Sequence, residues 1–155
     1  MVAMDHQENV KQIEKGEKMK ILVVDDDVVC RDLLLQYLSE HGLTQGVANG
    51  QEGLAAFQEA LDSGDPYDLI CLDIMMPGVN GQEILKLIRK LERNRGIAPA
   101  DQVKVFMITG LTDSGNISEA FQDGRCDAYL SKPVNLVHLG KHLVALQQDV
   151  SELEH

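Results

Sequence analysis

The sequence predicts a doubly wound α/β fold, a five-stranded parallel sheet with helices on both faces. Three observations predict it. The run Leu69-Ile70-Cys71-Leu72 is apolar at every position and too short for a typical helix, so it reads as a strand buried on both faces. Short apolar runs alternate with helix-period segments five times over, the pattern of a parallel sheet with right-handed crossovers. Four of the five runs end in polar residues: Asp25 and Asp26, then Asp73, Thr109 and Lys132. A doubly wound sheet gathers such ends along one edge, where ligands bind.

The elements follow in order. Residues 1–19 are polar and charged and read as a tail, flexible or partly helical. Lys20 to Val24 is the first strand, and it stops at three acids, Asp25-Asp26-Asp27. Val29 to Leu38 has apolar residues at helical spacing, with an Asp-rich start and a Gly stop at Gly42. Thr44 to Ala48 is the second strand. Gly50 to Leu61 is a helix carrying Leu54, Phe57 and Leu61 on one side, broken by Ser63-Gly64-Asp65-Pro66. The strand Asp68 to Leu72 comes next. After a Pro-Gly loop, Gln82 to Leu91 is a helix with Ile84, Leu85, Ile88 and Leu91 facing inward. Residues 93–101 form a loop, and Val103 to Ile108 is the fourth strand. The segment 113–123 is a weak helix, because Gly115 and Asn116 lower its propensity. Cys126 to Leu130 is the fifth strand and Asn135 to Val150 the last helix. Residues 20–150 therefore form one domain, and 151–155 a tail whose composition resembles the start of an expression tag.

Composition narrows the function. Hydrophobic residues make up 44% of 155, enough for an unstapled core, and the formal net charge is -11. That charge argues against a phosphate-backbone binder and for contacts with cations or basic partners. Aromatics are 4% with no Trp, which disfavours stacking on single-stranded bases. No direct nucleic-acid role is expected. The basic residues Lys86, Arg89, Lys90, Arg93 and Arg95 cluster in one short span, read as a solvated helix face rather than a docking patch. Cys30, Cys71 and Cys126 are odd in number and widely spaced, so they read as small buried hydrophobes in a reducing compartment. No stretch is long and apolar enough to span a bilayer and no signal peptide is visible, so a cytoplasmic protein without membrane insertion is expected.

Taken singly, Asp25, Asp26 and Asp73 are ordinary helix caps or turn residues, Thr109 a turn former and Lys132 a solvated loop residue. Their recurrence at corresponding places in separate strand–helix units makes a shared site the better reading. Two unit charges about 4 Å apart repel by roughly 4 kcal/mol at an effective dielectric near 20. Three converging acids therefore call for protons or a divalent cation, and a small carboxylate-rich oxygen set suits Mg²⁺. Lys132 adds a point charge for a phosphoryl oxygen and Thr109 a hydroxyl. Carboxylate, cation, lysine and hydroxyl around one spot describe in-line phosphoryl transfer to the carboxylate, with Asp73 the nucleophile.

Four motifs carry a resemblance to a known family. Ile21-Leu22-Val23-Val24-Asp25-Asp26-Asp27, Asp73-Ile74-Met75-Met76-Pro77 with Gly81, Val105-Phe106-Met107-Ile108-Thr109-Gly110, and Tyr129-Leu130-Ser131-Lys132-Pro133 together resemble the receiver domains of two-component response regulators, over about Lys20 to Gln148. The chemotaxis-type single-domain regulators are the nearest pattern. The resemblance implies the flavodoxin-like strand order 2-1-3-4-5. It implies that Asp73 accepts a phosphoryl group from a sensor histidine kinase or phosphotransfer protein. Asp26, Asp73 and the Met75 backbone carbonyl would hold Mg²⁺, with Asp25 helping through water. Lys132 and Thr109 would contact the phosphoryl group, and Tyr129 would be an aromatic switch that turns inward as Thr109 moves. A cis Lys132-Pro133 bond is expected, and the output surface would be the segment 113–123, the fifth strand and the last helix. Gly140 permits close approach there, or else tight packing on its own sheet. Signalling would pass through a docked partner or a homodimer, and the chain would be no enzyme beyond its own phosphotransfer and dephosphorylation. Asn80 departs from the acid that often precedes Gly81 in the family, at a place beyond the chemistry. Met75 and Leu111 are apolar where the family tunes hydrolysis, which implies slow to moderate dephosphorylation.

Three other readings compete. An aspartyl-phosphate hydrolase wants an acid at position 75, where Met stands. A degenerate receiver acting as a plain binding module would lack some of the chemical positions, and all are filled. A flavodoxin-like cofactor binder would find its phosphate repelled by the acidic rim.

Overall fold

The computed structural model describes residues 19–76, 78, 80–110 and 126–153. The strands are β1 (Met19–Val24), β2 (Gly42–Val47), β3 (Leu69–Asp73), β4 (Lys104–Thr109) and β5 (Ala128–Ser131). Among the described residues the helices are α1 (Val28–Leu38), α2 (Gly50–Asp62), α3 (Gly81–Asn94) and α4 (Leu136–Leu153), with a 3₁₀ turn at Pro99–Asp101. All strand pairs are parallel, in the order β2-β1-β3-β4-β5. This is the expected five-stranded doubly wound sheet. The expected helix over 113–123, the tail 1–18, Leu111 and the last two residues lie outside the described residues.

The strands sort their side chains with period two. Leu22, Val24, Ile70, Leu72, Val105 and Met107 pack with Phe57 and Ala60 of α2 and with Ile84, Leu85 and Ile88 of α3. Ile21, Val23, Leu69, Cys71, Phe106, Ile108 and Leu130 face Leu34 and Leu38 of α1 and Leu139, Leu143 and Leu146 of α4. β3 is buried at all five positions: the apolar run Leu69–Leu72, as a central strand requires, and the carboxylate Asp73 at its end.

Element ends coincide with expectation or differ from it by up to four residues, and some differences are instructive. α1 starts under an Asp27 cap that accepts from the Val29 and Cys30 amides. It ends at Leu38 with Ser39 as its cap, so Gly42 is not the helix stop that its sequence position implies. Gly42 opens β2 instead, where a Cβ would lie 2.1 Å from the Met19 carbonyl oxygen; the glycine serves close strand approach. α3 begins at Gly81 because Asn80 Oδ1 accepts from the Gln82 amide at 2.6 Å. It runs three residues past the expected end, into the segment read as loop.

The basic span is not one solvated face. Arg89 is buried: its Nη1 donates to Glu92 Oε1 at 2.8 Å and to the Val103 carbonyl at 2.9 Å, and Nη2 lies 3.7 Å from Asp127 Oδ2. Glu92 Oε2 in turn accepts from the Val103 amide at 2.7 Å, so the buried pair is fully engaged. Arg95 pairs with Asp62 across to α2. Lys86, Lys90 and Arg93 are exposed, as expected of a surface stripe. At Gly140 the close neighbour is α1: a Cβ there would stand 2.8 Å from the Tyr37 hydroxyl. The three cysteines are free. Burial pushes the Cys71 and Cys126 thiols up to about 12 and about 11. Cys30 is half-buried, and burial followed by the neighbouring Asp25 carboxylate raises its thiol to about 12. No helix among the described residues is long and apolar enough to cross a membrane.

Candidate functional site

Register brings the polar strand ends together. Val24 of β1 pairs with Leu72 of β3, so Asp25 leaves β1 level with Asp73. Asp73 pairs with Ile108, and Thr109 with Ser131, which sets Lys132 just beyond the β5 end. The Lys132 amide also donates to the Thr109 carbonyl at 2.8 Å, tying its start to β4. The Lys132-Pro133 peptide is cis.

Lys132 Nζ lies 3.2 Å from Asp25 Oδ1 and 3.2 Å from Asp73 Oδ2. One ammonium thus bridges two carboxylates from separate strands. Asp25 and Asp73 are 0% and 1% exposed, whereas Asp26 is on the surface. Carboxylate oxygens of Asp25, Asp26 and Asp73 all come within 4.8 Å of one another. Backbone amides complete part of the cradle: Asp27 N donates to Asp25 Oδ1 at 2.9 Å and Met75 N to Asp73 Oδ1 at 3.1 Å. Asp25 Oδ2 is buried with no hydrogen-bond partner among the described residues. A buried, unmatched carboxylate oxygen costs free energy unless a proton or cation meets it.

The electrostatics follow. Burial, then the Asp25 charge, push Asp73 from the ordinary carboxylate value up to about 7, against the opposing pull of Lys132. Burial alone would lower the Lys132 ammonium, but the Asp73 and Asp25 charges outweigh it and hold its pKa above the ordinary lysine value. Three acids facing one ammonium leave a local excess of negative charge, the condition a divalent oxygen-seeking cation fits.

The other sequence-predicted residues take varied positions. Thr109 is buried at the same rim, and its hydroxyl donates to the Gly110 carbonyl at 3.1 Å rather than to the acids. The Met75 side chain is exposed beside Asp73. Tyr129 is half-buried against the α2–α3 side of the core, and its hydroxyl accepts from Gln82 Nε2 at 3.1 Å. Two residues near the site escaped the sequence reading. Arg31 Nη1 donates to the Asp25 carbonyl at 2.8 Å, fixing the β1–α1 turn. Gln82 is buried and polar in the first turn of α3, one of three buried polar side chains on that helix with Arg89 and Glu92.

Comparison with known proteins agrees with this arrangement. The family model described as "Response regulator receiver domain" matches residues 21–144. The transcriptional regulatory protein TcrA of Mycobacterium tuberculosis is 38% identical over 133 residues, which cover 84% of this chain and 46% of that protein. The chain therefore spans about half the length of that curated relative. Among solved structures, a response regulator receiver domain protein from Clostridium thermocellum superposes with a TM-score of 0.72 at 26% identity, covering 87% of this chain and 98% of that one. The receiver domain of Saccharomyces cerevisiae Ssk1, crystallised with the histidine phosphotransfer protein Ypd1, gives 0.69 at 29% identity, with coverages of 83% and 88%. With five parallel strands in the shared order, acids at two strand ends and a lysine after the last, the chain belongs to the response regulator receiver domain family of two-component signalling.

Proposed function

We propose that this chain is a phosphorylation-activated response regulator in which Asp73 accepts a phosphoryl group from a histidine kinase or phosphotransfer protein. One observation carries the reading: a single ammonium, Lys132, holds the buried Asp25 and Asp73 carboxylates at aligned strand ends, while a second Asp25 oxygen stays unmatched. The clustered carboxylates fit Mg²⁺, which Asp26, Asp73 and the Met75 carbonyl would hold with the help of Asp25. Bound there, the cation supplies charge neutralisation for the incoming phosphoryl oxygens.

The chain's own groups do the rest. An oxygen of the deprotonated Asp73 attacks phosphorus in line. The bond from phosphorus to the donor's imidazole nitrogen breaks, its electron pair returns to the ring, and an acyl phosphate remains on Asp73. Lys132 is already within hydrogen-bond reach of the attacking carboxylate and holds a phosphoryl oxygen as charge builds. Thr109 exchanges its Gly110 carbonyl for the same group, and Tyr129 follows it inward. The added charge biases a two-state surface that includes β5 and α4 towards a downstream protein or a second copy of the chain. This reading takes the protein to be cytoplasmic.

Acetyl phosphate with Mg²⁺ tests the reading. Intact mass should rise by one phosphoryl group, and neither Asp73→Asn nor omission of Mg²⁺ should allow the gain. A wild-type chain that never gains mass is instead a plain binding module.

A further inference from the structure

The inward face of α3 carries Ile84, Leu85 and Ile88, each at most 1% exposed, and Gln82 shares that burial at 4%. A buried amide among aliphatic side chains is stable only where its hydrogen bonds are met. Gln82 Nε2 meets one by donating to Tyr129 Oη at 3.1 Å, a link between α3 and β5 that spans 47 positions of sequence. Both side chains make further contacts as well.

What lies behind Gln82 gives that bond its direction. The Gly81 amide donates to the Ile74 carbonyl at 2.9 Å. A Cβ on Gly81 would stand 2.4 Å from the Asp73 carbonyl oxygen and 2.7 Å from Ile74 Cα. The first turn of α3 therefore rests on the backbone that carries Asp73, with no room for even a methyl group between them. The Asn80 cap fixes the Gln82 amide in the same turn. The Asp73 backbone, Gly81, Gln82 and the Tyr129 hydroxyl thus form one contiguous physical path. It reaches Tyr129 from the α3 side, whereas Thr109 lies on β4, with its hydroxyl turned to its own chain.

We propose that Gln82 is a positioning residue that holds the Tyr129 hydroxyl towards α3, so that the seating of α3 on the Asp73 strand end sets the resting position of the Tyr129 ring. Only its use in signalling rests on the phosphoryl-acceptor reading; the hold itself does not.

The full chain labelled with 3-fluorotyrosine tests this by ¹⁹F NMR, with Tyr129 assigned by its absence in Tyr129→Phe. Gln82→Met keeps the length and helix preference of the side chain and removes the bond. The Tyr129 resonance should move, reporting a change of about fivefold in the ratio of ring positions, while Tyr37 and Tyr67 stay put. With acetyl phosphate and Mg²⁺, Gln82→Met should still take up one phosphoryl group, but the accompanying Tyr129 shift should be smaller than in wild type. If Gln82→Met does not fold, Tyr129→Phe cuts the same bond from the other side and should shift the Gln82 side-chain amide in ¹⁵N spectra. A Tyr129 signal in Gln82→Met identical to wild type, or an unmoved Gln82 amide in Tyr129→Phe, overturns the proposal. Failure of wild type to take up phosphoryl, with the unphosphorylated Tyr129 signal still moved, overturns the acceptor reading and leaves Gln82 as the holder of Tyr129.

Discussion

Asp73 is buried beside a second acid, and its raised proton affinity is the property easiest to read from outside. A folded-state carboxyl raised to about 7 contributes stability that is fully present below its ordinary value and is lost as pH rises through 7. Metal-free protein should therefore lose this contribution between about pH 4 and pH 7, and Asp73→Asn should flatten that part of the Tm profile. Proton and cation compete for the same oxygens, so Mg²⁺ should raise Tm more at pH 8 than at pH 5. Equal Mg²⁺ effects at both would show that the cation sits elsewhere. Lys132→Met removes the ammonium that bridges Asp25 and Asp73 and should slow labelling by acetyl phosphate by about a hundredfold. Because the exposed Met75 side chain offers no group to orient a water, the phosphorylated form should outlast seconds without a phosphatase; decay within seconds would contradict this. Asp25 and Asp73 were legible because each directly follows an apolar run, and Lys132 because it comes one residue after another. Gln82 and Arg31 were not, because each is defined by a partner outside its own motif, Tyr129 for one and a backbone carbonyl for the other.

Helix α3 shows how far an element can be read from its own sequence. Its apolar stripe predicted the inward face, yet Arg89 on that face was read as solvated. Only the fold brings Val103 and Asp127 to meet its guanidinium. Arg89→Ala leaves Glu92 charged and buried and should cost about 3–5 kcal/mol, lowering Tm by about 10 °C. Labelling at Asp73 should persist below the new Tm, since the pair lies at the opposite end of the strands. A change within 1 °C would show that the pair is not held in solution. β2 taught the converse lesson: Gly42 looks like a helix stop in sequence, but its meaning lies in the Met19 carbonyl against which it packs. Glycine marks close approach and helix ends alike, and sequence does not say which.

For the molecule as a whole, the layer architecture was legible because the central strands are apolar on both faces. Period and length alone assign such runs to a parallel sheet. Strand order was not contained in that pattern and came from the four motifs together. Once the order is fixed, the parallel register does the functional work: it sets the β1, β3 and β4 ends level and delivers Lys132 from β5. The site is thus a consequence of topology more than of any one loop. Covalent chemistry at one strand end is the claim on which this account depends. Borohydride reduction after acetyl phosphate treatment converts an aspartyl phosphate to homoserine, which peptide mass mapping locates by residue. The account predicts homoserine at position 73 and nowhere else; an unmodified position 73, or a label on another acid, would contradict it.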